Sequence, residues 1–202
     1  MVTAEEITRH RDDASPEGLS AFVPGRKPPR VGVEIVDADP GWPTDFADLA
    51  GRIRDALGEA ILELEHVGST SVPGLPAKPV IDICLTVADS ADEAAWLPPL
   101  EDAGFDLTVR EPWWLEHRCL VCDVPRSNLH VFSPGAPEPI RMRLFRDWLR
   151  AHPEDLALYR DAKLGAASAA NAAGEHVMQY NARKEPVIRA IYDRAFRAAG
   201  LL

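Results

Sequence analysis

The chain has 202 residues, 46% of them hydrophobic and 27% charged, with a formal net charge of −10; it is long enough for one well-filled core, in one or at most two small domains. The acidic balance argues against broad nucleic-acid binding, because nonspecific affinity for a polyanion comes from lysines and arginines that displace counterions. No apolar run reaches the roughly twenty residues of a membrane span, and Met1 to Asp13 carries acids where a signal peptide has an apolar core, so a cytoplasmic protein without membrane contact is expected.

Residues 1–30 hold Pro16, Gly18, Pro24, Gly25, Pro28 and Pro29 among charges and read as a mobile or loosely docked arm, with one helical turn at Ile7 to Arg11. Residues 31–202 are expected to form one domain, a sheet core over 31–135 and a helical cap over 136–202. Val31 to Val36 reads as a first strand. Pro43 and Thr44 start a helix with the stripe Phe46, Leu49, Ile53 and Leu57. Ile61 to Val67 alternates as a strand, and Val80 to Val87 is an almost continuously apolar strand suited to a sheet centre. Ala91 to Ala103 reads as a helix that Pro98 and Pro99 break or kink. Phe105 to Val109, Arg118 to Val124 and Leu129 to Phe132 give three further strands, expected as antiparallel neighbours. From Glu138 the period becomes helical, with Pro186 expected to bend the last segment or start a new helix. Sheet first and helices last is the order of an α/β core with a helical C-terminal cap.

Cys119-x-x-Cys122, with His117 and His130 nearby, raises zinc. On a strand, however, Cys119 and Cys122 point to opposite faces, and no glycine between them permits a tight knuckle. Two basic groups, Arg141, Arg143, Arg146 and Arg150, then Arg183, Lys184 and Arg189, leave room for a local basic pocket, but most of them read as solvated helix faces balanced by Asp147, Glu154 and Glu185.

His66 to Leu85, HVGSTSVPGLPAKPVIDICL, is the most informative stretch. Gly68 and Ser69 follow an apolar run, Thr70 and Ser71 add hydroxyls, and Asp82 is the single carboxylate of the next strand. A Gly-Ser turn lets backbone N–H groups and small hydroxyls approach an anion, and a neighbouring aspartate suits a divalent metal that bridges to the same phosphates. Gly68, Ser69, Thr70 and Ser71 are therefore candidate phosphate ligands, and Asp82 a candidate catalytic acid and ligand of Mg2+. Lys78, just before the Asp82 strand, is placed to reach a phosphate. Lys184 falls on an apolar stripe with Tyr180 and Val187, so it either snorkels to the surface or points into the cleft; Arg118, Arg146, Tyr159 and Lys163 are weaker candidates. His66 braces the loop or touches a ligand, and Trp113-Trp114 packs in the core or forms a lid.

The stretch from His66 to Ile83 closely resembles the GrpB family pattern, roughly His-h-Gly-Ser-Thr-Ser/Ala-Val-Pro-Gly-Leu-x-Ala-Lys-Pro-h-h-Asp-h, where h is apolar. The resemblance runs from about Val31 to about Phe196, through Asp39 to Pro43, Asn128 to Val131 and Leu144 to Arg150. It implies a nucleotidyltransferase-like α/β fold, a nucleotide or other phosphorylated small molecule as ligand, and transfer of a nucleotidyl or phosphoryl group to a small acceptor. Nucleotidyltransferases carry an Asp-h-Asp pair; here Val80 and Cys84 flank Asp82, so one acid is missing. Glu34, Glu65, Asp123 or His130 is left to complete the site, and His130 stands where the third acid is expected, as a candidate general base. Two alternatives stand beside this reading. One is a noncatalytic nucleotide- or coenzyme A precursor-binding module, since some relatives are fused to dephospho-CoA kinases. The other is different chemistry on the same scaffold through Cys84 or His130.

Overall fold

The computed structural model describes residues 2–10, 20–24 and 32–202. Five strands, β1 (Glu63–Val67), β2 (Ile81–Thr86), β3 (Asp106–Glu111), β4 (His117–Asp123) and β5 (Arg126–Phe132), form one mixed sheet in the order β1-β2-β5-β4-β3. β2 and β5 run parallel, and the other three pairings are antiparallel. This is the expected mixed sheet with a helical cap, although the residues read as a first strand form only a bridge between Val36 and Ala77. Residues 11–19 and 25–31, most of the expected arm and the start of that strand, lie outside the described residues.

Side chains alternate across the sheet, so its two faces have different fates. Ile81, Ile83 and Leu85 of β2 and Leu129 and Val131 of β5 are buried in the main core with Leu49, Ile53 and Leu57 of α2 (Trp42–Leu57) and Trp96 and Leu100 of α3 (Glu93–Asp102). The prolines do not break α3: Pro98 and Pro99 sit inside one continuous helix, anchored by buried Trp96 and Leu100. The opposite face presents Asp82, Asn128 and His130 towards the cap.

The cap consists of α4 (Pro137–Ala151), α5 (Pro153–Ala172) and α6 (Val177–Ala198), and Pro186 lies inside α6 without ending it. The arginines of α4 are only in part the expected solvated face: Arg146 and Arg150 do pair with Asp147, but the group also reaches β1 and the glycine turn. Arg143 pairs with Glu63 at 2.5 Å, Arg146 pairs with Glu65 at 2.8 Å and donates to the His66 carbonyl, and Arg150 donates to the Ser71 carbonyl at 2.7 Å. Arg141 is buried, stacks on Tyr192 and donates to the Ile7 carbonyl at 2.5 Å, fastening α1 (Ala4–Thr8) to the cap. That short helix, closed by a Thr3–Glu6 capping box, packs Ile7 against Tyr192 and Phe196. On α6, Arg183 and Arg189 do lie on the exposed side, paired with Glu175 and Glu185.

Candidate functional site

The antiparallel pairing of β1 and β2 sets Val67 opposite Asp82, which brings the Asp82 carboxylate against the turn that begins at Gly68. Gly68 adopts φ 67°, ψ −168°, a region essentially reserved for glycine. A Cβ at 68 would lie 2.8 Å from that of Asp82 and closer still to Oδ2. The backbone thus comes as near to the acid as it can only where no side chain intervenes. Asp82 is about a third exposed, and Oδ1 accepts from Asn128 Nδ2 at 2.8 Å. Parallel pairing of β2 with β5 explains this contact, since Asp82 is the register partner of Asn128.

The turn itself is a 3-10 segment, Ser69–Ser71, whose hydroxyls divide into two groups. Thr70 Oγ1 donates to the Val80 carbonyl and lies 3.0 Å from His66 Nε2, while Ser71 Oγ donates to the Gly68 carbonyl at 2.6 Å. Both residues are buried. They brace the turn rather than face the cleft, which revises their expected role as phosphate ligands and leaves half-buried Ser69 as the hydroxyl not engaged inside it. His66 braces it too: its ring stacks on Phe46, and burial lowers its pKa to about 4, keeping it neutral.

Above the open face, lysines converge from three elements. Lys184 of α6 and Lys78 of the loop before β2 lie over the same Tyr180 ring, with Nζ 4.7 and 5.5 Å from its centroid. Lys163 of α5 is fully buried, with Nζ 5.3 Å from the Tyr159 centroid. Burial first, then the charge of Lys184, drives the Lys163 pKa down to about 7, while Asp82 pulls it up. Burial also lowers that of Lys78, where Asp82 and Lys184 again act in opposite directions. Lys163 Nζ and the Tyr180 hydroxyl are buried without any hydrogen-bond partner. Buried polar groups are almost always satisfied, and a buried cation without a hydrogen-bonded partner is costly. The cluster therefore has the chemistry of an anion site. Lys184 points inward, and Lys163, a weaker candidate from sequence, is the most deeply placed of the three.

His130 lies beside Asp82, with Nε2 4.0 Å from Oδ1 and the side chain 22% exposed. Burial lowers its pKa to about 4, and nearby His117 lowers it further against the pull of Asp82 and Glu111. It is a neutral imidazole, not one titrating near working pH as the sequence suggested. Its Nδ1 is 3.0 Å from His117 Nε2, and His117 Nδ1 is 2.7 Å from Glu111 Oε2. Sequence reasoning gave no role to Asn128 or Glu111. The two-residue spacing of Asn128 and His130 does put both on one strand face, whereas the meeting of Glu111 with His117 depends on the β3–β4 hairpin.

The magnesium expectation can be tested on the donors present. Among the described residues no three of His, Cys, Asp and Glu form a group suited to a metal ion. Asp82 already has one oxygen on Asn128 and the other against Gly68. The lysines supply the positive charge that a metal would bring to phosphates. Among the described residues the donors therefore form no magnesium site without a ligand's own oxygens beside Asp82.

Other candidates fall away from the cleft. Cys84 is buried with Val67, Phe132 and Trp114, and burial pushes its pKa up to about 12, which opposes a reactive thiolate. Cys122 belongs to the main core, whereas Cys119 pairs with His130 across the strands and feels Asp82; the two cysteines face opposite ways. Arg118 is held by Glu93 and Glu116, and Trp114 packs edge-on against His117 and Phe132. A cavity of about 410 Å3 lined by Pro73, Leu149, Arg150, Pro153 and Leu156 contains no group suited to catalysis beyond Arg150, which is turned to Ser71.

Among known proteins, the chain is 46% identical over 169 residues to a UPF0157 protein of Halalkalibacterium halodurans, covering 84% of this chain and 85% of the other. It is 32% identical over 193 residues to a protein named dephospho-CoA kinase from Mycolicibacterium paratuberculosis, covering 83% of this chain but 47% of that one. The solved structure of conserved protein GrpB from Enterococcus faecalis superposes with a TM-score of 0.71 at 26% identity, covering 82% of this chain and 99% of that one. No helix among the described residues is long and apolar enough to cross a membrane. The GrpB protein family model matches residues 32–194, so the chain, with its nucleotidyltransferase-like fold, belongs to the GrpB family.

Proposed function

We propose that the cleft between the Gly68 turn and the cap binds a phosphorylated small molecule of the nucleotide class. Lys78, Lys163 and Lys184 would hold its phosphates, with Ser69 and Gly68 at the edge of the site and Asp82 and His130 flanking the reacting end. The reaction would transfer a nucleotidyl or phosphoryl group to a hydroxyl acceptor. The observation that carries this reading is the unpartnered, buried ammonium of Lys163 among two other lysines and the unpartnered Tyr180 hydroxyl. An anion satisfies all of these groups at once. The deviation from the paired-acid scheme shapes the chemistry: with Val80 and Cys84 beside Asp82, charge stabilisation falls to lysines, and a magnesium ion would have to arrive on the ligand. A thermal-shift panel of nucleoside triphosphates, coenzyme A precursors and inorganic tripolyphosphate, with and without magnesium, tests it. Stabilisation by phosphorylated compounds that Lys163→Met removes supports the reading, and indifference to the whole panel refutes it.

The absent second acid also favours a noncatalytic alternative, in which the same cleft binds a nucleotide or coenzyme A precursor without turnover. The relatives named dephospho-CoA kinase, of which this chain spans about half, are consistent with such a module. Binding without product formation across hydroxyl acceptors would select it.

A further inference from the structure

We infer that Glu111, His117 and His130 form a proton relay that carries the proton of an acceptor hydroxyl from the cleft beside Asp82 along one face of the sheet to a carboxylate on its β3 edge strand. The inference rests on the proposal that this cleft transfers a group to a hydroxyl. The chain of contacts is continuous: Glu111 Oε2 to His117 Nδ1 at 2.7 Å, then His117 Nε2 to His130 Nδ1 at 3.0 Å. His130 Nε2 is left at its end, 4.0 Å from Asp82 and too far for a direct hydrogen bond. Register explains the alignment. Glu111 pairs with His117 across β3 and β4, and His130 pairs with Cys119, two residues from His117 on the same strand face. Phe132 stacks on the His117 ring at 4.8 Å and Trp114 meets its edge, so the middle of the relay is held rigid and dry.

The contacts restrict the tautomers. An ionised Glu111 only accepts, so His117 donates from Nδ1 and its Nε2 must accept. His130 then donates from Nδ1, which leaves the lone pair of Nε2 directed at the cleft. When an acceptor hydroxyl attacks phosphorus, its O–H bond breaks and an O–P bond forms, while the departing phosphate oxygen leaves with the P–O electron pair. The released proton binds His130 Nε2, the Nδ1 proton of His130 passes to His117 Nε2, and the Nδ1 proton of His117 passes to Glu111. Both imidazoles stay neutral throughout, and Glu111 ends as the carboxylic acid. Burial favours this outcome at both ends, since it raises the Glu111 pKa and lowers that of His117 to about 3, disfavouring an imidazolium. Glu111 and His117 are thus positioning residues, and His130 is the group that meets substrate.

Long-range 1H–15N spectra of the uniformly labelled full chain near neutral pH read each tautomer directly. Both His117 and His130 should carry hydrogen on Nδ1 and none on Nε2. Glu111→Gln, whose amide can donate to His117 Nδ1, should move the hydrogen of both rings to Nε2, and Glu111→Asp should restore the native pattern. Should Glu111→Gln not fold, His117→Phe retains the ring packing and removes the acceptor of His130 Nδ1–H, so His130 should switch to Nε2–H facing Asp82. Because a glutamine amide can also accept from His117 Nδ1–H, the deciding results are the wild type and His117→Phe: hydrogen on His130 Nε2 in the wild type, or a His130 tautomer that ignores His117→Phe, overturns the relay. Titration of the wild type with inorganic tripolyphosphate separates the two claims: absence of binding would refute the phosphate site, while the tautomer result alone decides the relay.

Discussion

The Asp82 carboxylate lies against the backbone of Gly68 so closely that no side chain fits between them. The contact joins the glycine-serine turn to the sheet acid at one edge of the proposed cleft.

Gly68→Ala should be among the more damaging single-methyl changes in the chain. The added Cβ collides with Asp82 in a backbone conformation that alanine avoids, a combination expected to cost about 2–4 kcal/mol. Gly74→Ala is the control. Its φ of 76° is also positive, but a Cβ there meets nothing within 4 Å, so a loss of about 1 kcal/mol is expected. Urea denaturation of the two variants checks the difference.

Lys163→Met should stabilise the unliganded protein while weakening phosphate binding. The change removes a fully buried ammonium without a hydrogen bond and retains most of the side-chain volume. The pH dependence follows from the lowered pKa of about 7 against 10.5 for an ordinary lysine. Between those values the unfolded chain holds the proton and the folded chain releases it, so raising the pH stabilises the fold by up to about 1.4 kcal/mol per unit. Melting curves from pH 7 to about 8, below the range in which the buried thiols and tyrosines keep protons that the unfolded chain gives up, should show this slope in the wild type and a reduced slope in Lys163→Met.

The helices of the cap, the Asp82 strand and the glycine turn were all legible in the sequence because periodicity, apolar runs and the His66–Ile83 pattern signal them locally. What the sequence concealed lies in pairings between distant elements. Lys163 sits at helical spacing on a stripe with Leu156 and Tyr159 and reads as one of several weaker candidates until α6 brings Lys184 and Tyr180 beside it. Thr70 and Ser71 look like ligands because a hydroxyl beside a glycine suits either an anion or a turn, and only the Val80 and Gly68 carbonyls decide which. The α4 arginines read as surface because Asp147 is a local partner, as found, while their further partners, Glu63, Glu65 and the Ser71 carbonyl, are about eighty residues away.

Acid should destabilise the protein well above the usual carboxylate range. His66, His117 and His130 have pKa values lowered by burial to about 4, 3 and 4 from 6.5. As pH falls from 6.5 towards 4 the unfolded chain takes up protons that the folded chain refuses, so each contributes a loss of up to about 1.4 kcal/mol per pH unit. Urea midpoints that stay constant from pH 7 to pH 5 would contradict neutral, buried imidazoles.

The three cysteines, all buried, should resist a thiol reagent such as DTNB in the folded protein and react together on unfolding. Rapid selective modification of Cys84 in the native state would revive the thiol-based alternative.

The most direct test is a calorimetric titration with inorganic tripolyphosphate in buffer free of divalent cations, comparing the wild type with Lys163→Met, Lys78→Met and Lys184→Met. The lysine cluster predicts binding by the wild type without magnesium and at least about a tenfold loss in each variant, since a charge-assisted contact is worth about 1.5–3 kcal/mol. A wild type that fails to bind, or that binds only with magnesium and with equal strength in all three variants, would contradict it.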